Sequence, residues 1–222
     1  LCSVLDGFSG PFETVTEVSP PRGVVTGSPG VAGYLVSHHQ NDAFVAVNRL
    51  LAAGEEVYWP RNRSAGSSAG TGSMFIAARP STRPILEKAA AELGLTFTGV
   101  DAVPPGPALK LRPVRIGLWD RYGGASSSGW ARWLLEEYEF PFEVVYAHAL
   151  DAGALARTYD VLILPDDAAL GSRSPPGGGP TEERLPAEYR GTTGAITRAR
   201  TVPQLKAFVE AGGTLLTIGD QG

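Results

Sequence analysis

RPVRIGLWDRYGGASSSGWARWLLEEYEFPFEVVYA, residues 112–147, decides the fold class of this chain. Residues 114–119 form a short apolar run, a Gly/Ser-rich bend follows, and Trp130, Trp133, Leu134 and Tyr138 then recur at i, i+3, i+4 and i+8. That pattern is a strand, a turn and an amphipathic helix with those four side chains along its apolar face. Ser128 can cap the helix, and Phe140-Pro141 stops it before residues 142–147 open a second strand. A strand, a helical crossover and another strand commit the chain to a parallel sheet, whose ligands lie outside the carboxyl ends of the strands. Function is to be sought in those loops.

Working outward, residues 1–30 carry Pro20-Pro21 and many Gly and Ser residues and form an irregular lead-in. A smaller α/β stretch spans 31–103. Its strands are expected at 33–37, 55–59, 74–78 and 95–100. One helix is capped by Asn41, buried through Phe44, Val47 and Leu51 and closed by Gly54; a second begins near Pro84, lies on Ile85, Leu86, Ala89, Ala90 and Leu93, and ends at Gly94. Pro104, Pro105 and Pro107 make a stiff connector into the second α/β domain, 111–222. There Asp151 can cap a short helix, 161–164 is a fully apolar central strand, Pro203 opens a helix buried through Leu205, Phe208 and Val209, and 214–218 is a strand. The alternation predicts an α/β fold with a mainly parallel sheet flanked by helices, with 114–119, 161–164 and 215–218 in its middle. The segments 61–72 and 171–186, rich in Gly, Ser and Pro, are expected as mobile surface loops.

At 222 residues and 43% hydrophobic content the chain can bury a full core. A net charge of −4 argues against a nucleic-acid surface, and the local basic excess at Arg184, Arg190, Arg198 and Arg200 reads as a solvated face. Lysine occurs only at Lys88, Lys110 and Lys206, so arginine carries the rest of the 19 basic residues. The lone Cys2 excludes an internal disulfide and a multi-cysteine zinc site. No apolar run approaches the roughly 20 residues of a membrane span. With no initiating Met, and with its last strand and turn unfollowed by a helix, the chain reads as a piece of something longer.

The chemical candidates are few. The strand running into Gly219-Asp220-Gln221-Gly222 has the outline of a nucleophile elbow with Asp220 at its tip, but a carboxylate is a weak nucleophile towards amides. A turn former or helix cap is the plainer role. Asp166 and Asp167 follow a strand and could bind a divalent ion or work as an acid/base pair, although adjacent residues of an extended chain point apart. The same alternation separates His38 from His39, which with Asp42 would need a third ligand to hold a metal. His148 could serve Ser126, Ser127 or Ser128 as a base, with nothing evident to orient it. The GGASSSG loop lies where a phosphate cradle would lie but matches neither the dinucleotide fingerprint nor a P-loop.

Four stretches, LRPVRIGLWDRYGGASSSGWARWLLEEYEFPFEVVYA, YDVLILPDDAAL, EYRGTTG and TVPQLKAFVEAGGTLLTIG, resemble the region downstream of the peptidase domain in large bacterial proteins of the zinc carboxypeptidase (carboxypeptidase A-like) family. The resemblance covers 111–222, and NDAFVAVNRLLAAG with EEVYWP extends it back to about residue 31. It implies a class I glutamine amidotransferase-like (flavodoxin-like) fold, truncated at its C-terminal end. It also implies a secreted or periplasmic parent enzyme that removes C-terminal residues from peptides with one zinc ion.

Two departures matter. None of His38, His39 and His148 has a glutamate three residues on, as the peptidase zinc site requires, and the amidotransferase elbow holds Asp220 in place of Cys. The expected role is therefore a non-catalytic accessory region beside an adjacent peptidase domain, with no catalytic, cofactor or metal residue of its own and zinc held in that other domain. Two alternatives stay open: an amidotransferase- or hydrolase-like enzyme using Asp166, Asp167 or Asp220, and a sugar- or peptide-binding module.

Overall fold

The structure, a computed structural model, describes residues 13–14, 16–17, 21–61, 72–124, 126–166, 168 and 182–219. Cys2, Asp167, Asp220 and, of the two expected mobile loops, residues 62–71 and 171–181 lie outside the described residues. The strands are β1 (Val24–Val25), β2 (Gly33–Val36), β3 (Val57–Pro60), β4 (Met74–Ala77), β5 (Thr96–Val100), β6 (Ala108–Lys110), β7 (Ile116–Trp119), β8 (Phe142–Val145), β9 (Val161–Leu164) and β10 (Thr214–Thr217). The helices are α1 (Asp42–Ala52), α2 (Thr82–Leu93), α3 (Ser126–Glu137), α4 (Ala147–Ala152), α5 (Leu155–Thr158) and α6 (Thr201–Glu210).

The chain is α/β, with two sheets of different character. β10, β9, β7 and β8 form a wholly parallel sheet in that order. The first six strands form a mixed sheet in the order β1-β5-β2-β4-β3-β6, in which, among the described residues, only β1 and β5 pair parallel. The expectation of mainly parallel pairing from residue 31 onward is corrected here. The crossovers themselves are present, but each skips a strand: β2 and β3, joined by α1, flank β4, and β4 and β5, joined by α2, flank β2. This is a pair of interlocked split β-α-β units. The connector adds to the same sheet, because β6 pairs with β3 and the Leu111 amide donates to the Val57 carbonyl.

Alternation along the strands distributes the core. In the mixed sheet Tyr34, Val36, Val57, Met74, Ile76 and Phe97 meet Ala43, Ala46 and Leu50 of α1 and Leu86, Ala89 and Ala90 of α2. In the parallel sheet Ile116, Leu118 and Ile163 face Leu135 of α3, while Trp119, Leu162 and Leu164 face Leu150, Leu155, Leu205 and Phe208 of α4 to α6. Helices thus cover both faces. β7 and β9 are central as expected, but β10 is an edge strand among the described residues, with Leu216 and Ile218 exposed.

Several local expectations are revised. Trp130, Trp133 and Leu134 of α3 are exposed, and its sheet-facing line runs through Ser128, Ala131 and Leu135, because the smaller residues permit close approach. Val209 of α6 is likewise exposed. Asn41 precedes α1 without a side-chain capping bond. Asp151 lies inside α4 and ties it to the start of α6, accepting from the Thr201 hydroxyl at 2.6 Å. No helix of the described residues is long and apolar enough to cross a membrane.

Candidate functional site at the carboxyl edge of the parallel sheet

Strands β7, β9 and β10 end together, and the loops that follow bring Asp120, Asp166 and Gly219 to one edge. Parallel strands β7 and β9 run in register, Ile116 opposite Val161 through Leu118 opposite Ile163. Their ends therefore emerge side by side, at the point where the chain order of the strands reverses. Asp120 follows β7, and its Oδ1 accepts the Arg121 amide at 2.8 Å and the Ser128 hydroxyl at 2.9 Å. Gly124 lies so close to that carboxylate oxygen that a β-carbon there would collide with it. The bend therefore needs glycine to fold α3 back onto the strand end.

Ser128 is not the cap of α3. The helix begins two residues earlier, and Ser128 is buried in its first turns, 4% exposed. Ser127 donates to the backbone carbonyl of Asp166 at 2.5 Å, which joins α3 to the end of β9. The Asp166 side chain sits against Gly219 (φ +84°), where a β-carbon would lie 2.6 Å from its Cγ. Beside them the Tyr122 amide donates to the Thr192 carbonyl at 2.7 Å, and the rings of Tyr122 and Tyr189 meet edge-on at 5.5 Å. Comparison with protein-family models, with curated proteins and with solved structures gives no match for this chain.

His148 lies in α4, just after β8, and its ring stacks on Tyr146 at 6.4 Å. Ser127 and Ser128 donate to Asp166 and Asp120 instead. His38 and His39 do not point apart, because they occupy the turn after β2 where strand alternation has ended. Their ring centroids are 4.6 Å apart and Trp59 is 6.5 Å from His38, whose Nδ1 is buried with no hydrogen-bond partner among the described residues. No group of three His, Cys, Asp or Glu side chains able to hold a metal occurs among the described residues.

Sequence reasoning missed Asp120, the acceptor that organises the edge. A single aspartate after a strand carries no motif, and only the fold shows Ser128 returning to it. It also missed the ion cluster at the opposite end of the same sheet. Asp160, just before β9, accepts from Arg112 at 3.2 Å and from the Arg115 side chain at 3.0 Å. The Arg115 side-chain and backbone bonds, with help from Arg112, hold the Asp160 carboxyl well below the usual carboxylate range. Neighbouring Tyr159 is buried, and burial, reinforced by the charge of Glu143, pushes its hydroxyl up to about 12.

Proposed function

We propose that this chain is a non-catalytic accessory α/β region of a zinc-carboxypeptidase-like protein, built on a class I glutamine amidotransferase-like, flavodoxin-like sheet. Support for the fold comes from the strand order. Numbered within the parallel sheet, β8, β7, β9 and β10 run 2-1-3-4, as in doubly wound sheets of the flavodoxin type. In this reading the zinc and the removal of C-terminal residues belong to an adjacent peptidase domain of the same secreted or periplasmic polypeptide. This region contributes packing, substrate access or binding beside it.

The observation that carries the non-catalytic part is the state of the edge hydroxyls. A serine nucleophile hands its proton to a positioned base and must be reached by substrate. Ser127 donates to a peptide carbonyl, which is no base, and Ser128 is buried against Asp120. The test uses full-length protein with Ser127→Ala, Ser128→Ala or Asp166→Asn. Each variant should keep turnover of a peptide with a free C-terminus within about twofold of the unaltered protein. Full-length protein with no carboxypeptidase activity sinks the peptidase reading, and selective loss of amide or ester hydrolysis in a variant sinks the non-catalytic one.

A second reading, a sugar- or peptide-binding module, is favoured by the exposed pair Tyr122 and Tyr189 on this edge. Tyrosine offers a rigid amphipathic surface at low entropic cost. Weakened retention on immobilised peptide or glycan by Tyr189→Ala, with folding intact, would distinguish it.

A further inference from the structure

A cavity of about 640 Å³ lies between the two sheets, walled by Phe44 and Leu51 of α1, Trp59 of β3, Val114 of the connector, and Phe140 and Phe142 around the start of β8. It explains why α1 is apolar on two sides. Ala43, Ala46 and Leu50 are wholly buried in the mixed-sheet core, whereas Phe44 and Leu51 are only partly buried and turn towards the cavity. The walls are tied together. Asn48 donates to the Tyr138 carbonyl at 2.8 Å, and Arg49 bonds Glu139 at 2.8 Å and Glu92 at 2.7 Å. Glu139 holds left-handed backbone (φ 54°) at the end of α3, where that ion pair anchors it.

Two features select the ligand. The volume lies within the roughly 300–1,000 Å³ of small-molecule sites, which favour domain interfaces. Among the described residues, each ionic group of the lining already has a partner: Arg112 has Asp160, Glu136 has Arg132 and Glu139 has Arg49. A charged ligand would give up hydration without gaining an unpaired counter-charge. We infer that the space between the sheets is a binding site for one uncharged, predominantly apolar small molecule. This site is separate from the carboxyl edge and does not depend on the peptidase reading.

The test titrates the neutral probe N-phenyl-1-naphthylamine into the intact protein and follows its fluorescence. Saturable binding of one probe per chain is expected. Ala52→Trp, at the exposed mouth, and Val114→Trp, in the wall, should each weaken it by about tenfold or more, and Trp130→Ser, on the exposed face of α3, should not. Circular dichroism of each variant guards against misfolding, and Ala52→Trp replaces an exposed residue if Val114→Trp does not fold. The anionic probe 1-anilinonaphthalene-8-sulfonate should bind at least about tenfold more weakly than the neutral one. The inference is overturned by non-saturable binding, by equal binding of the two probes, or by loss of binding in Trp130→Ser with the cavity variants unaffected. It also fails if the signal disappears as the protein dimerises at higher concentration, since a second copy would then fill the space.

Discussion

Helices α1 and α3 are almost equal in length, 11 and 12 residues, yet they bury very different parts of themselves. α1 encloses Ala43, Val45, Ala46, Val47 and Leu50, whereas α3 encloses only Ser128 and Leu135 and leaves Trp130 at 68% exposure and Trp133 at 52%. In both, the sheet-facing side combines small residues with a leucine, Leu50 in α1 and Leu135 in α3. Other large apolar side chains turn elsewhere: Phe44 and Leu51 of α1 to the cavity, and Trp130, Trp133 and Leu134 of α3, among the described residues, to solvent. Among the described residues the mixed-sheet lobe therefore has one core, and the parallel lobe has two thinner ones with apolar surface left at α3 and β10.

The largest expected effect follows from that contrast. Phe97 is fully buried in the mixed-sheet core, so Phe97→Ala should cost about 3–5 kcal/mol in denaturant unfolding. Trp130→Ala removes a larger ring from an exposed site and should cost no more than about 0.5 kcal/mol. A cost above about 2 kcal/mol for Trp130→Ala would break the comparison, because it would mean that the outer face of α3 is covered in solution.

A polar residue sharpens the picture of the mixed-sheet lobe. Glu55 is 6% exposed and accepts the Ser81 hydroxyl at 2.5 Å and the Thr82 hydroxyl at 2.7 Å, both at the start of α2. Buried carboxylates need such donors and favour helix N-termini. Thr82→Val keeps the shape but removes a donor to a charged group, and should cost about 1.5–3 kcal/mol in the same unfolding experiment. A cost near zero would mean that water reaches Glu55 and that this lobe is less closed than its burial indicates.

The parallel unit β7-α3-β8 was legible in residues 112–147, because a short apolar run, a glycine-rich bend and a helical period are local signals. So were the helix ends at Gly54 and Gly94, which hold left-handed backbone at φ 76° and 67°. Strand partners were not. In the first lobe the same strand-helix-strand grammar yields antiparallel neighbours, since nothing in β2, α1 and β3 announces that β4 will insert between β2 and β3. Helical periodicity placed Trp130, Trp133 and Leu134 on one line but could not say whether that line faces the sheet. At the candidate edge Asp166 was visible as a strand-end carboxylate, whereas Asp120 acquires its meaning only from Ser128, eight residues away and brought back by the fold.

The smallest expected effect concerns charge, and it separates the lobes by pH. Asp160 is held below its ordinary value by Arg115 and Arg112, so the folded state binds its proton less readily than the unfolded chain. Its contribution to stability is complete above the ordinary carboxylate value of about 4 and is lost as pH falls from there towards the depressed folded value. Both arginine partners are half-exposed or more, so the loss should be smaller than the effects of Phe97→Ala and Thr82→Val and should shrink further in high salt. At the other extreme Tyr159, pushed up to about 12, favours the protonated form in the folded state; its contribution is present below about pH 10 and fades as pH rises towards 12. Both groups flank the amino end of β9, in the parallel lobe. Asp160→Asn should flatten the acid limb of a stability profile and Tyr159→Phe the alkaline limb, with hydrogen exchange showing the change in β7 and β9 before β2 and β4. An acid limb left unchanged by Asp160→Asn would move the controlling carboxylate elsewhere, with Glu56 beside Lys110 and Glu139 beside Arg49, both also held low, as the next to replace.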